Sequence, residues 1–141
     1  MTPDQLFQMV NILALAAWVL LAVLPDRRWA ADMIAGVAVP ALLASVYIAI
    51  IVTRWAGSEG GFSSLPAVAT LFGNPWLLLA GWTHYLAFDL LVGRWEVRDA
   101  RQRSIPHIFV LPCLALTFLF GPAGWLLYMA LRTSRLRSLP G

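Results

Sequence analysis

His84 and Asp89 lie inside an otherwise uncharged apolar run, about residues 75–93. An ionisable group within a membrane span is costly unless paired or wetted, so such a residue is a functional candidate by default. An imidazole and a carboxyl group can each take or give a proton, which suits acid–base chemistry on a lipid-soluble molecule. The two are five residues apart. On a helix that spacing is about 7.5 Å of rise and about 140° of rotation, so they do not share a face. Tyr85 does share a face with Asp89. If the helix continues past Trp95, Glu96 falls about 20° from Asp89, and Asp99 follows to complete an acidic stripe. Arg98 falls on a separate stripe with His84, and His107 opens the next apolar run, from where it can fold back towards Asp89 or Asp99.

Three readings of these residues stand side by side. One is a metal site built from His84, Asp89, Glu96, Asp99 and His107, although the spacing matches no H-x-x-E-H or E-x-x-H pattern. The second is acid–base chemistry by His84 and Asp89. The third is structural, with Asp89 paired to Arg94 or Arg98, and His84 hydrogen-bonded to Asn11, Ser45 or Tyr47 on another helix.

The rest of the chain must hold these groups in a membrane. Of its 141 residues 60% are hydrophobic and 12% are charged, with mean hydropathy +0.76. Soluble domains carry about 25% charged residues, so this chain has too few to cover a water-facing surface. A soluble domain, a disordered chain and a disulfide scaffold are thereby excluded, the last because Cys113 is the single cysteine. The net charge is +3, and all ten basic residues are arginine. They cluster beside apolar runs, which is how loops that touch phospholipid headgroups are built; nucleic-acid binding is not expected.

A bilayer core of about 30 Å needs about 20 apolar residues as helix. Four stretches qualify, about 5–24, 33–53, 75–93 and 107–131. The expected fold is therefore all-α, a single domain of four transmembrane helices, the fourth kinked at Gly121-Pro122. The N-terminal run lacks a positive n-region and reads as a retained helix rather than a cleaved signal. Pro40 and Pro112 predict further kinks. Between the second and third spans, Phe62, Leu65, Val68, Leu71 and Phe72 fall at helical spacing and predict a short interfacial helix at about 62–73. Trp29, Trp55, Trp76 and Trp95 sit at span ends, where amphipathic rings favour the headgroup level. With four complete spans, six arginines fall on the side of the first and third loops and four on the other. That places the first and third loops in the cytoplasm. The third loop, from Arg94 to Arg103, reads as a headgroup anchor or as a positive lip that holds a ligand.

The run Gly81-Trp82-Thr83-His84-Tyr85-Leu86-Ala87-Phe88-Asp89-Leu90 resembles the abscisic-acid-deficient-four-like family, whose plant members are linked to neoxanthin formation. The likeness continues through Gly60-Gly61-Phe62, Gly93-Arg94, Arg98-Asp99-Ala100-Arg101, Ile105-Pro106-His107 and Phe118-Leu119-Phe120-Gly121-Pro122-Ala123-Gly124. Short loops look like the bacterial branch, which implies a bacterial inner membrane. The resemblance implies a four-helix membrane protein tied to carotenoid metabolism. Its associated plant step resembles an isomerisation: an epoxide opens while a proton leaves the adjacent polyene carbon, with no net redox. His84 and Asp89 match the motif positions and are the expected catalytic acid and base. Trp82, Tyr85, Arg94, Asp99 and His107 are the expected ligand contacts, and no metal or cofactor is assigned. The expected partners are the bilayer, a carotenoid or other isoprenoid, and a further copy of the chain or a larger membrane complex. The rival reading is a non-enzymatic assembly factor or a subunit of a pigment–protein complex.

Overall fold

The structure is a computed structural model and describes residues 1–137. Among the described residues there are six helices and no strand. They are α1 (Pro3–Val23), α2 (Trp29–Arg54), α3 (Leu65–Phe72), α4 (Pro75–Gln102), α5 (His107–Phe120) and α6 (Pro122–Arg137). The all-α expectation holds. Three of the helices, α1, α2 and α4, are long and apolar enough to cross a membrane, as befits a membrane protein.

Local chemistry sets the helix ends. Thr2 and Gln5 form a reciprocal capping box ahead of α1, and Ser64 and Asn74 cap α3 and α4, each followed by a proline in the first turn. α2 starts as a π-helix over Trp29–Ala38, with the Val39 amide reaching back to the Ile34 carbonyl, and continues as α-helix over Val39–Arg54. Pro40 has no N–H to donate and its ring crowds the preceding turn; the wider π winding upstream accommodates it. α4 extends well past residue 93, because nothing between Arg94 and Gln102 breaks a helix and because Glu96, Val97, Asp99 and Ala100 are buried.

α4 packs against every other helix and is the least apolar of the three long ones, with mean hydropathy 1.2 against 2.2 for α1 and 2.4 for α2. The bundle is built inside-out relative to a soluble protein. On α1 the buried stripe is Val10, Ala14, Ala17, Trp18 and Leu21, whereas Met9, Ile12, Leu15, Val19 and Val23 face outward. Small inner residues let helices approach closely, the usual means of packing in lipid. Gly93 shows the effect: a Cβ there would meet the Trp18 ring at 2.5 Å.

The fourth span departs from expectation. Residues 107–131 do not form one kinked helix; α5 and α6 are separate and pack against each other as a hairpin. The turn is Gly121, whose φ of 36° and ψ of −90° suit glycine, followed at once by Pro122. α5 has 14 residues, so it is about 21 Å long and too short to cross a core of about 30 Å. Its first residue, His107, contacts Ala22 at the end of α1, and its tip reaches Asp89 at the middle of α4. α6 then returns, bringing Tyr128 and Arg132 back to Asp99 near the end of α4. The hairpin thus enters and leaves at the same end of the bundle. Gly124 makes the return possible, since a Cβ there would collide with the Thr117 backbone and hydroxyl.

Candidate functional site

α4 presents polar side chains on two opposed faces. On the first, a cavity of about 490 Å3 opens between α2, α3 and α4. Tyr47 and Ile51 line it from α2, Trp55 and Phe62 from the following loop, Leu71 and Phe72 from α3, and Leu77, Ala80, Gly81 and His84 from α4. Gly81 leaves room for the Phe72 ring, which a Cβ would approach to 2.9 Å. Trp55 and Phe62 stack at 5.6 Å, and the Arg54 guanidinium lies over Trp76 at 4.5 Å. The imidazole of His84 sits 4.6 Å from the Phe88 ring and 5.6 Å from the Tyr47 ring. It makes no hydrogen bond among the described residues: Asn11 instead accepts from Trp82 Nε1 at 3.1 Å, and the Ser45 hydroxyl bonds the Ala41 carbonyl. An imidazole with both nitrogens uncommitted, facing an aromatic void, is free to exchange a proton with a guest.

The second face carries Tyr85, Asp89, Glu96 and Asp99, and the hairpin covers it. The Tyr85 hydroxyl donates to the Leu119 carbonyl at 3.3 Å, satisfying one of the carbonyls left open where α5 ends. Asp89 lies against Gly121, and its Oδ2 is buried without a hydrogen-bond donor among the described residues. Glu96 is fully buried; Oε1 accepts from the Thr117 hydroxyl at 2.9 Å, while Oε2 has no donor. Asp99 is the hub. It accepts from Tyr128 at 2.7 Å and from Arg103 and Arg132 at 3.0 Å each.

The structure does not bring His84 and Asp89 together. Helical rotation sets them on well-separated sides of α4, and among the described residues the hairpin that touches Asp89 makes no packing contact with α2. Trp82 and Tyr85 stack at 5.4 Å and turn towards α1 and the hairpin tip rather than the cavity. Arg94 pairs with neither Asp89 nor the cavity; it lies 3.7 Å from Asp32 on α2. His107 does not fold back to either carboxylate, since its Nε2 bonds the Ala22 carbonyl at 2.9 Å. The residues weighed as a metal site therefore do not converge. Among the described residues no three of His, Cys, Asp and Glu form a group that could hold a metal ion.

Sequence reasoning missed Asp32, Thr117, Tyr128 and Arg132 as polar partners. Tyr128 and Arg132 share a helix face at i,i+4, which signals a paired stripe once α6 is known to turn back. Nothing matches the chain among curated proteins or among solved structures. A family model described as ABA DEFICIENT 4-like does match, over residues 5–128, and covers α1 to α5 together with the hairpin turn and the first half of α6. The chain therefore belongs to the ABA DEFICIENT 4-like family.

Proposed function

We propose that this membrane protein holds one end of an elongated, unsaturated isoprenoid, a carotenoid or a chemical relative, in the cavity between α2, α3 and α4, and that His84 does acid–base chemistry on it. The observation that carries this reading is an unpartnered imidazole in the wall of an aromatic cavity of about 490 Å3. That volume lies within the usual span of small-molecule sites, about 300–1,000 Å3. Flat aromatic walls suit a conjugated end group, and the remainder of a long guest would lie along the bundle in lipid. Family membership supports the substrate class.

The chemistry is a non-redox isomerisation of the epoxide-opening kind. A C–O bond of the epoxide breaks and its oxygen gains a proton. A C–H bond on the adjacent polyene carbon breaks, and its electron pair becomes the new double bond. In the cavity His84 takes the carbon-bound proton and the Tyr47 hydroxyl supplies the one for oxygen; transfer from His84 to Tyr47 resets the pair. Asp89, turned towards Gly121, is a positioning residue that seats the hairpin tip. The test is expression in a carotenoid-producing host with pigment analysis of cells and of purified protein. Wild type should alter the pigment profile or carry pigment through purification, and His84→Ala should lose the conversion. Identical pigments from both, with none copurifying, would sink the reading. Stable copurification with a larger partner, with no change of pigment, would favour the assembly-factor alternative.

The same reading sets the first and third loops and the end of α6 in the cytoplasm of a bacterial inner membrane. With α6 turned back, nine arginines belong to one end of the bundle and Arg54 alone to the other, a far wider margin than four complete spans would have. Reporters fused after residue 141 and inserted between α4 and α5 should read the same side; opposite sides would reject the re-entrant hairpin.

A further inference from the structure

A second cavity, about 610 Å3, opens at the end of the bundle opposite the His84 cavity, between α2 and α4. Its walls are Arg28, Asp32, Arg94, Arg98, Arg101 and Gln102. Four guanidinium groups thus face one carboxylate. Asp32 is committed: both its oxygens accept from Arg101, at 2.9 and 3.0 Å. Arg94 is held in place by packing. A Cβ at Gly36, one turn along α2 from Asp32, would lie 2.5 Å from its Nε, so the guanidinium stem occupies the space that a side chain would fill. The Arg94 Nε–H is buried and has no hydrogen-bond acceptor among the described residues, with the Asp32 carboxylate 3.7 Å away. Arg28 and Arg98 have no carboxylate partner among the described residues and remain outward-facing at the rim.

A basic helix end that merely rests on headgroups needs no cavity and no packed arginine with a buried, unpartnered Nε–H. We propose that this cavity is a specific site for a phosphate-bearing group, a phosphomonoester or diphosphate, borne by a membrane lipid or free in solution. Arginine is the residue suited to bind phosphate oxygens in a fixed fork geometry, and basic pockets between spanning helices on the cytoplasmic side are where lipid headgroups are held. Asp32 acts here by orienting Arg101 and Arg94, and the π-wound segment Trp29–Ala38 carries both Asp32, on the wall, and Gly36, which seats the Arg94 side chain. The site lies apart from the His84 cavity and stands or falls separately from the reading of that cavity.

The experiment uses the full chain, purified in a zwitterionic detergent, and measures binding of short-chain phosphatidic acid, short-chain phosphatidylcholine and inorganic pyrophosphate. Phosphatidic acid should bind saturably and phosphatidylcholine should not. Arg28→Gln and Arg98→Gln, both at the rim, should each weaken binding roughly five- to tenfold. Arg54→Gln, at the other end, should leave it unchanged. Pyrophosphate that binds alone as tightly as the lipid identifies a soluble phosphate as the ligand; pyrophosphate that binds far more weakly identifies a lipid. Each variant is checked for an unchanged melting temperature, so that a loss of binding is not a loss of fold. The proposal is overturned if neither phosphate compound saturates, if phosphatidylcholine binds equally, or if Arg54→Gln weakens binding as much as the rim variants.

Discussion

The two sides of α4 differ in how their polar groups are satisfied. On the hairpin side, Asp99 has three donors, Glu96 Oε1 has Thr117, and Tyr85 closes a helix end, while Asp89 Oδ2 and Glu96 Oε2 are buried without a donor among the described residues. On the cavity side, His84 lies exposed beside the Tyr47 and Phe88 rings and has no hydrogen-bond partner among the described residues. A group that is fully partnered has its proton and its geometry committed to the fold, whereas one that faces a void remains available to a guest. Both sides carry residues that looked equally functional when read along the chain. Their surroundings tie the hairpin side to the packing of α5 and α6 and leave His84 beside a cavity, the difference on which the proposed function rests.

Substitutions on the two sides should therefore separate stability from function. The largest effect is expected at Gly124→Leu. Its Cβ would strike the Thr117 backbone, so the hairpin could not close. Overpacking alone costs typically about 1–3 kcal/mol, and a collision with backbone lies at or above the top of that range. The protein should fail to accumulate in the membrane or should melt far below wild type; a normal melting curve would show that the hairpin is not tightly apposed. Asp99→Ala comes next. It would leave Arg103 and Arg132 without their carboxylate and Tyr128 without its acceptor. Removing one member of a buried pair costs about 3–5 kcal/mol, and about 2 kcal/mol is expected here because both arginines are partly solvated. Thermal unfolding in detergent would read it, and a change under about 0.5 kcal/mol would remove Asp99 from the architecture. The smallest effect on stability belongs to His84→Ala, within about 0.5 kcal/mol, since no hydrogen bond is lost. Conversion or retention of pigment should nevertheless disappear in that variant. A large loss of stability at His84 would erase the contrast between the two sides.

Much of this was legible residue by residue. The apolar runs located α1, α2 and α4, and the outward aliphatic stripes follow from 3.6-residue periodicity. The opposed directions of His84 and Asp89 were set by five residues of helix, whatever packed around them. Other features were not legible. Asp32, close to the start of the second apolar run, gave no sign that Arg94 and Arg101 lie on the facing helix, since those partners are more than 60 residues away. The cavity was equally hidden, because its lining comes from α2, α3, α4 and a connecting loop.

The chain's own residues, through composition and helical spacing, fix that it is a helical membrane protein with His84 and Asp89 turned apart on one long apolar helix. The route of its last apolar run is settled elsewhere. A Gly-Pro step permits a kink or a reversal at similar local energy, so nothing near Gly121 can choose between them. The choice falls to contacts made across α4, where Thr117 meets Glu96 and Tyr128 and Arg132 meet Asp99. Buried polar groups in lipid favour partners, and the reversed path is what brings Tyr128 and Arg132, both beyond the turn, to Asp99.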